Sequence, residues 1–481
     1  MKYDYIVIGA GSAGLSFAAL MEKRGFKVCV LEAHSIPGGC SSYFERDGFT
    51  FDAGATTLSG FKDKRPLKKL FEELHLNLEL KKIDPGIISF LNKKKVHRYS
   101  NPEMWNAELE KHFPNINHHD LWKKFSEIES RGWLLTSNFK NIPLRSFKSL
   151  LSFFNAYIPT ALKSVPEIFR SVDSELAKYK VTNEDYLALI DEMLFITAQN
   201  NRQDSPLLMG AMGLCYPQDT WYAIGGMKAF AKAIAEKCST IFYRHEVQKI
   251  SKSDNGFTVL TSKGEFEAKN VVSTIPVWNH AKLFEEPEAK KFFTPKKIVE
   301  PKECWSAFMV YLTIPLDAKR EGLYYQIHTS LIPHCSTKSF FVSLSHPEDK
   351  IRSHSNRQVV TISTHTRASE WLDLSKEEYL AKKEEVKLFI LKSLREEFQL
   401  SESDLQNIMT GSPKTFVKYT KRYQGLVGGI PHSLKRNPLD YVIARSPYEN
   451  FYMLGDTQFP GQGIAAVILG SMNLVDYLEK K

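Results

Sequence analysis

Apolar and polar positions at the start of the chain alternate in a way that predicts a strand, a helix and a second strand. Residues 5–8 form a short β-branched apolar run, which is typical of a buried strand. Residues 15–24 are rich in Ala, Leu and Met, which predicts a helix that ends at Gly25. Residues 27–31 predict the second strand, with Glu32 at its end.

The turn between the first strand and the helix has the pattern G-x-G-x-x-G, formed by Gly9, Ala10, Gly11, Ser12, Ala13 and Gly14. Gly9 allows a tight exit from the strand, Gly11 lets the backbone approach a pyrophosphate, and Gly14 lets helix and sheet pack closely. The start of the helix offers free N–H groups to phosphates. A carboxylate at Glu32 can bind a ribose diol. With both strands and the terminal acid in place, the pattern predicts a dinucleotide site.

Two further glycine-rich segments are candidates for contact with the same dinucleotide. One contains Gly38 and Gly39, and residues 47–54 follow it, ending at Gly54. A glycine pair lets the chain pass close to a bulky ligand. The other is residues 455–463, which lie between a predicted strand at 450–454 and an apolar helix at 464–478. A glycine-rich helix start offers backbone N–H groups to the electron-rich edge of a reduced flavin.

The middle of the chain contains both strand-like and helix-like patterns of apolar residues. A helix is predicted for residues 228–237, a strand for 241–250, and a hairpin for 257–260 and 264–268. Residues 305–314, 323–329, 339–345 and 360–363 read as strands of a second sheet. A capping box at residues 375–378 predicts a further helix, and residues 100–225 read as helical.

The stretch 143–170 has apolar residues near helical spacing with interleaved Arg and Lys. Two interpretations stay open. One is a helical lid packed on the core, which is favoured, and the other is an amphipathic surface that makes peripheral contact with the inner face of a membrane.

Composition narrows the choice of function classes. The 481 residues carry 64 Lys and Arg against 55 Asp and Glu, a modest net charge of +9, and no zinc-finger or RNA-binding motif accompanies it. No nucleic-acid partner is therefore expected. The six scattered cysteines favour reduced thiols. The reduced thiols favour a cytoplasmic protein, and since no signal peptide or apolar run of about 18 residues is recognised, no transmembrane helix is expected.

The residue types offer no obvious catalytic group of their own. No metal-ligand spacing is found, so no metal is expected, and His118-His119 reads as a solvated loop. No nucleophile elbow or phosphate-binding P-loop occurs either. The chemistry is therefore expected to come from a cofactor, and the catalytic residues stay unknown.

Together the motifs resemble the FAD-dependent phytoene desaturase, carotenoid isomerase and retinol saturase family, within the amine-oxidase-like flavoproteins. The resemblance rests on residues 9–32, 38–54 and 455–463, the last with the pattern G-D-x-x-F-P-G-Q-G. Residues 428–431 resemble a segment of the carotenoid isomerase branch. Amine-oxidase relatives often have a basic residue after the glycine pair, where this chain has Cys40.

The resemblance implies a role for each matching position. Glu32 would hold the adenosine ribose, and the backbone at Val247 would contact adenine. Gly455 and Asp456 would face the pyrophosphate and ribityl chain. The residues expected beside the isoalloxazine ring are Gln462, Gly463 and Ile464, together with Gly54, Ala55 and Thr56.

The same resemblance implies the fold class α/β plus α+β. A discontinuous Rossmann-type FAD-binding domain would comprise residues 1–75, 222–298 and 411–481. Residues 76–221 and 299–410 would form a substrate-binding lobe of mostly antiparallel sheet and helices, with a helical lid.

The implied activity is desaturation, saturation or cis-trans isomerisation of C=C bonds in a long apolar polyene or isoprenoid. No second dinucleotide motif occurs, so an external electron donor or acceptor is expected. Two alternatives stay open: a flavin amine oxidase, and a non-catalytic prenyl-binding protein of the GDI kind.

Overall fold

The computed structural model describes residues 2–138, 160, 162–293, 299–436 and 446–480. Its strands are β1 (Lys2–Ile8), β2 (Val28–Glu32), β3 (Tyr43–Arg46), β4 (Phe49–Asp52), β5 (Leu80–Lys82), β6 (Ile87–Leu91), β7 (Lys94–Arg98), β8 (Trp221–Ala223), β9 (Ile241–Tyr243), β10 (Val247–Ser253), β11 (Gly256–Thr261), β12 (Gly264–Ser273), β13 (Ser306–Pro315), β14 (Tyr324–His328), β15 (Ser339–Leu344), β16 (Arg357–Thr366), β17 (Gln406–Gly411) and β18 (Phe451–Met453). Its α-helices are α1 (Ser12–Lys23), α2 (Pro66–Leu74), α3 (Pro102–His112), α4 (His118–Asn138), α5 (Val172–Lys178), α6 (Glu184–Ala198), α7 (Leu207–Leu214), α8 (Gly226–Ala235), α9 (Pro287–Phe292), α10 (Lys376–Phe398), α11 (Pro413–Thr420) and α12 (Ile464–Leu478).

The first sheet contains both ends of the chain. Its strand order is β10-β11-β12-β1-β2-β9, and β18 pairs with β12. β1 runs parallel to β2 and β12, and β18 runs parallel to β12. Helices α1 and α12 share a buried core with these strands, in which Val7, Phe17 and Ile468 are fully enclosed. The predicted strand-helix-strand unit, the hairpin and the closing strand and helix are all confirmed, and so is the α/β fold class.

The prediction of one continuous strand over residues 241–250 was wrong. The chain turns at Arg244, which has a φ of 59°. The backbone N–H of Arg244 donates to the His34 carbonyl, and that of His245 donates to the Glu32 carbonyl. These bonds tie the turn to the end of β2, so β9 pairs with β2 whereas β10 pairs with β11.

The second sheet is mostly antiparallel, as predicted. Its order is β17-β13-β16-β15-β14-β6-β7, with one parallel pair between β14 and β6. One face packs against α10, whose predicted capping box at Ser375 is present. Because side chains alternate along a strand, Phe308 and Val310 face that helix whereas Met309 and Tyr311 point to the opposite side.

Helices α3 to α7 form the predicted helical segment, with a core of its own around Trp122. The expectation of a solvated loop at His118 and His119 was wrong, because the pair begins α4. His118 is buried, and its Nε2 lies 2.8 Å from the Phe113 carbonyl oxygen, while His119 stays exposed.

Most of the stretch 143–170 lies outside the described residues. Near the end of this stretch, Leu162 and Phe169 have 65% and 64% of their surface exposed to solvent. The choice between lid and membrane surface therefore stays a prediction. Within the described part of the chain, no helix has the length and hydropathy needed to cross a bilayer.

A buried ion pair connects the two-stranded sheet β3-β4 to the loop that precedes β16 of the second sheet. Asp52, at the end of β4, lies 2.9 Å from Arg352 in the loop before β16, and the two side chains are 1% and 3% exposed. Asp52 also accepts a hydrogen bond from the Met227 backbone N–H at the start of α8. The Tyr222 hydroxyl donates to Asp349 next to this pair. The ion pair fixes β4, and with it the segment that ends at Gly54.

We predict that Arg352→Met lowers the free energy of unfolding by about 3–5 kcal/mol, since it leaves a buried carboxylate without its cation. Urea denaturation followed by circular dichroism measures the change. Arg46→Met is the matched control, because the Arg46–Asp47 pair is 65% and 60% exposed. Equal denaturation midpoints for Arg352→Met and the wild type would contradict this role.

Candidate functional site

One large cavity runs between the two sheets. Its volume is about 1240 Å³, which exceeds the ~300–1,000 Å³ of a typical single-ligand pocket. The predicted cofactor residues that line it are Gly9, Gly11, Ser12, Ala13, Glu32, Gly38, Gly39, Gly54, Ala55, Thr56, Val247, Gly455, Asp456, Gln462, Gly463 and Ile464. The structure therefore gathers the three glycine-rich segments around a single space.

Gly14 is the predicted residue that does not line the cavity. A side chain there would collide with the Gly9 carbonyl oxygen, so its position is one of helix-strand packing. Gly11 differs, because a Cβ at that residue would have only the Gly39 Cα, 4.0 Å away, as a neighbour. The backbone at Gly11 is thus open to the cavity, and Ser12 and Ala13 begin α1 beside it. A helix start with an open backbone suits a pyrophosphate.

The carboxylate of Glu32 is held in place by backbone groups. Its Oε2 accepts from the Ala10 N–H at 2.6 Å, and its Oε1 accepts from the His34 N–H at 2.7 Å. Each carboxylate oxygen keeps a second acceptor position. Since Glu32 lines the cavity, those positions can receive the two hydroxyls of a ribose. Val247 lies in the same part of the cavity, at the start of β10.

The second glycine segment packs directly on the first. The Gly38 N–H donates to the Ala10 carbonyl at 2.8 Å. A Cβ at Gly39 would lie 3.2 Å from the Gly11 Cα, and one at Gly54 would lie 2.6 Å from the Cys40 carbonyl oxygen. These contacts leave no room for side chains between the segments. They keep the walls of the cavity close together here.

The closing helix points its first turn into the cavity. Gly463 precedes it with a φ of +93°, which favours glycine, and a Cβ there would meet nothing within 4 Å. Ile464 and Ala465 follow and line the cavity. The free N–H groups at this helix start therefore face open space, as a flavin ring edge would require.

Residues 428–431 cross over this closing segment. A side chain at Gly429 would collide with the Asp456 backbone, and one at Gly428 would collide with the Gln199 amide. Gln462 is fixed from the other side, since its amide N–H donates to the Thr197 carbonyl of α6. The two motifs that resemble the carotenoid isomerase branch are thus neighbours in space.

Arg422 is a cavity residue that the sequence analysis missed. Its guanidinium lies 2.7 Å from an Asp456 carboxylate oxygen and also donates to the Leu426 carbonyl and the Cys40 sulfur. Burial lowers its pKa, but the adjacent Asp456 carboxylate more than offsets this, so the pKa of Arg422 is raised and the group stays charged. The sequence signal that could have indicated Arg422 is Cys40. Amine-oxidase relatives often have a basic residue at that position, so a positive charge from another part of the chain could be expected beside it.

Burial raises the pKa of the Cys40 thiol above its ordinary value, despite the nearby Arg422. Cys40 is therefore a protonated thiol at neutral pH and adds no charge to this end of the cavity.

Away from the glycine segments the cavity has a mainly apolar lining. It consists of the inner face of the second sheet and residues of α4, α6 and α7, chiefly Trp133, Phe195, Ile196, Met209, Met212, Met309 and Phe341. Several polar side chains here bind one another: Thr56 Oγ1 lies 2.6 Å from Ser343 Oγ, and Glu192 Oε2 accepts from Ser339 Oγ at 2.5 Å. Burial raises the pKa of Glu192. This part of the cavity suits an elongated apolar ligand.

The described residues contain no group of His, Cys, Asp and Glu that could hold a metal ion. The open backbone at Gly11, the oriented Glu32 carboxylate and the open helix start after Gly463 all fit a flavin dinucleotide. Among the described side chains of the cavity, none has a geometry that identifies it as the catalytic acid or base.

Comparisons with known proteins agree with this geometry. A family model for flavin containing amine oxidoreductases matches residues 12–419. The chain is 28% identical to a chloroplastic prolycopene isomerase of Daucus carota, over 97% of this chain and 78% of that protein. It is 22% identical to an all-trans-retinol 13,14-reductase of Danio rerio, over 98% and 86%.

Among solved structures, an oxidoreductase from Methanosarcina mazei superposes with a TM-score of 0.64 at 17% identity, covering 100% of both chains. That likeness shows a shared fold. The family match over most of the chain shows that the protein is a flavin-dependent oxidoreductase. The chain belongs to the family of flavin containing amine oxidoreductases.

Proposed function

We propose that the flavin is FAD, bound in an extended form along the cavity. The observation that carries this proposal is that one cavity is lined both by Glu32 at the end of β2 and by Gly463 and Ile464 at the start of α12. A ligand that reaches both needs an adenosine, a pyrophosphate and a flavin ring. When bound, FAD supplies two-electron oxidation and reduction.

The residues of the chain then have separate tasks. Glu32 holds the ribose, the start of α1 holds the pyrophosphate, and the first turn of α12 lies against the ring. Arg422 supplies the positive charge that relatives place after the glycine pair, and it orients Asp456. We also propose the division into FAD-binding ranges 1–75, 222–298 and 411–481, and substrate-binding ranges 76–221 and 299–410.

We infer that the substrate is a long polyene or isoprenoid, carotenoid-like or retinoid-like, and that its C=C bonds are changed. The full-length likeness to the prolycopene isomerase and the retinol reductase supports this class. So does the cavity lining of Met, Phe and Trp beyond the glycine segments. These side chains hold the substrate and exclude water from it. Desaturation, saturation and isomerisation are all compatible with this arrangement.

The remaining partners follow from this chemistry. An external donor or acceptor must exchange electrons with the flavin in the first two reactions. A lipophilic substrate also favours peripheral contact of a cytoplasmic enzyme with a membrane, for which the exposed Leu162 and Phe169 are candidates.

We expect Glu32→Ala to weaken FAD binding by about tenfold to hundredfold, because it removes two charge-assisted hydrogen bonds to the ribose. The dissociation constant of FAD from the refilled apoprotein measures the effect. Glu265→Ala, on the exposed part of β12, is the matched control and should bind FAD like the wild type. Unchanged affinity in Glu32→Ala would show that this carboxylate does not hold the ribose.

We expect Arg422→Met to lower FAD affinity by about tenfold or more, since the pyrophosphate loses a cation and Asp456 keeps an uncompensated charge. Arg422→Lys should recover part of the affinity because it restores the charge without the planar fork. Flavin absorbance per protein after gel filtration reports occupancy, and far-ultraviolet circular dichroism reports folding. A folded Arg422→Met protein with full occupancy would contradict the assignment.

Substrate class is tested with the FAD-loaded protein and a panel of prolycopene, phytoene and all-trans-retinol, with and without a chemical reductant. We expect chromatography to show a changed isomer or bond count for at least one of them. Primary amines with peroxide detection form the second arm. Peroxide release with amines and no polyene conversion would favour an amine oxidase, and a protein that binds polyenes but retains no flavin would favour a prenyl-binding role.

A further inference from the structure

The strands β13 to β16 present several polar side chains to the apolar part of the cavity, and most of them have protein partners. Tyr311 donates to the Ala53 carbonyl, Thr361 to the Asp52 carbonyl, and Thr364 to the Ser339 carbonyl. The remaining bonded residues of these strands are Gln326, Ser339 and Ser343.

Ser363 and His365 differ from this group. Both line the cavity from β16 and are only partly buried. Neither the Ser363 hydroxyl nor the His365 ring nitrogens have a hydrogen-bond partner among the described residues. Polar groups in a largely enclosed apolar space normally have partners, because leaving them unpaired is costly. This pair of open groups is therefore available to a ligand that enters the cavity.

The geometry of the pair suits a single oxygen atom. Residues two apart on a strand point to the same face and lie about 6–7 Å apart. One oxygen with two hydrogen bonds of about 2.8 Å can bridge that distance. The His365 ring packs beside Trp305 and Phe195, with centroids 6.0 and 6.2 Å away. These rings orient the imidazole and cover its sides.

The protonation state of His365 restricts the ligand further. Burial, with a smaller contribution from Arg367, lowers its pKa to about 4, so the imidazole is neutral at physiological pH. A neutral imidazole has one donor and one acceptor, and a serine hydroxyl can do both. Their complement is a group that also donates and accepts, which is a hydroxyl.

An ammonium group fits this place poorly. It has three donors and no acceptor. The Arg367 guanidinium already stacks on Trp305, 3.3 Å from the ring centroid, so one aromatic face that could attract a cation is taken. The positive charge of Arg367 also opposes a second cation near His365.

Contacts between side chains connect His365 to the part of the cavity in which we propose that the flavin ring binds. The Trp305 indole N–H donates to the Gln199 carbonyl at 2.8 Å. Gln199 lies against Gly428, and Gly428 lies beside Gln462. His365 is thus connected, through Trp305 and Gln199, to the segment that lies against the flavin ring.

We propose that Ser363 and His365 form a hydroxyl-binding subsite, and that the polyene or isoprenoid substrate of this protein carries a hydroxyl group. This inference rests on the proposed function, which places an elongated apolar substrate in this part of the cavity. By binding the hydroxyl group, the subsite sets the position of the substrate along the cavity. That position determines which C=C bond lies beside the flavin.

The test compares matched ligands that differ only in the hydroxyl group. The FAD-loaded protein is titrated with all-trans-retinol and with the hydrocarbon that has a methyl in place of its hydroxymethyl group. Lycopene and 1-hydroxylycopene form a longer pair. Quenching of tryptophan fluorescence by the polyene gives each dissociation constant. We expect the alcohol of at least one pair to bind about tenfold more tightly than its hydrocarbon.

The variants His365→Phe and Ser363→Ala should bring the two constants of that pair to within about twofold, by weakening the alcohol alone. FAD occupancy should not change. His119→Phe, the same substitution at an exposed position, is the control and should keep the full preference. The comparison of alcohol and hydrocarbon binding to the wild type requires no variant, so it tests the subsite even if a variant fails to fold.

Equal binding of alcohol and hydrocarbon by the wild type would overturn the subsite while leaving the proposed function intact. A preference that persists in the folded His365→Phe and Ser363→Ala variants would overturn it as well. Binding of none of the four polyenes would instead overturn the proposed substrate class, and the subsite with it.

Discussion

The structure depends on backbone segments that approach one another more closely than side chains would allow. Gly14 packs against Gly9, Gly39 against Gly11, and Gly429 against Asp456. The first contact packs α1 on the end of β1, the second packs residues 38–39 on the glycine turn, and the third packs residues 428–431 on the closing segment. A side chain at Gly14, Gly39 or Gly429 would therefore push apart segments that form or support the walls of the cavity.

The strand-helix-strand unit at the start of the chain could be predicted because the interactions that form it are local. A strand, a glycine turn, a helix and a terminal acid lie within residues 2–32, and short-range geometry decides what they can bind. The closing helix was equally predictable, since α12 spans the apolar run with the bounds that the sequence predicts. Strands of the second sheet were predictable where apolar and polar residues alternate, as they do at residues 360–363.

What the sequence could not predict depends on contacts across long separations. Arg422 reaches Asp456 and Cys40 only in the folded chain, and no local pattern marks it. The break at Arg244 arises because the end of β2 offers it hydrogen-bond acceptors. His365 looks like an ordinary strand residue until its missing partner is seen beside the paired residues of neighbouring strands. In each case a distant partner, or its absence, decides the role.

The proposed arrangement of one FAD molecule along the cavity, from Glu32 to the start of α12, can be observed in a crystal. A crystal structure of the purified, flavin-loaded protein tests it most directly. We predict ribose hydroxyls within about 3.2 Å of the Glu32 carboxylate and a flavin ring beside Gly463 and Ile464. A flavin bound elsewhere, or one whose ring lies away from α12, would contradict it.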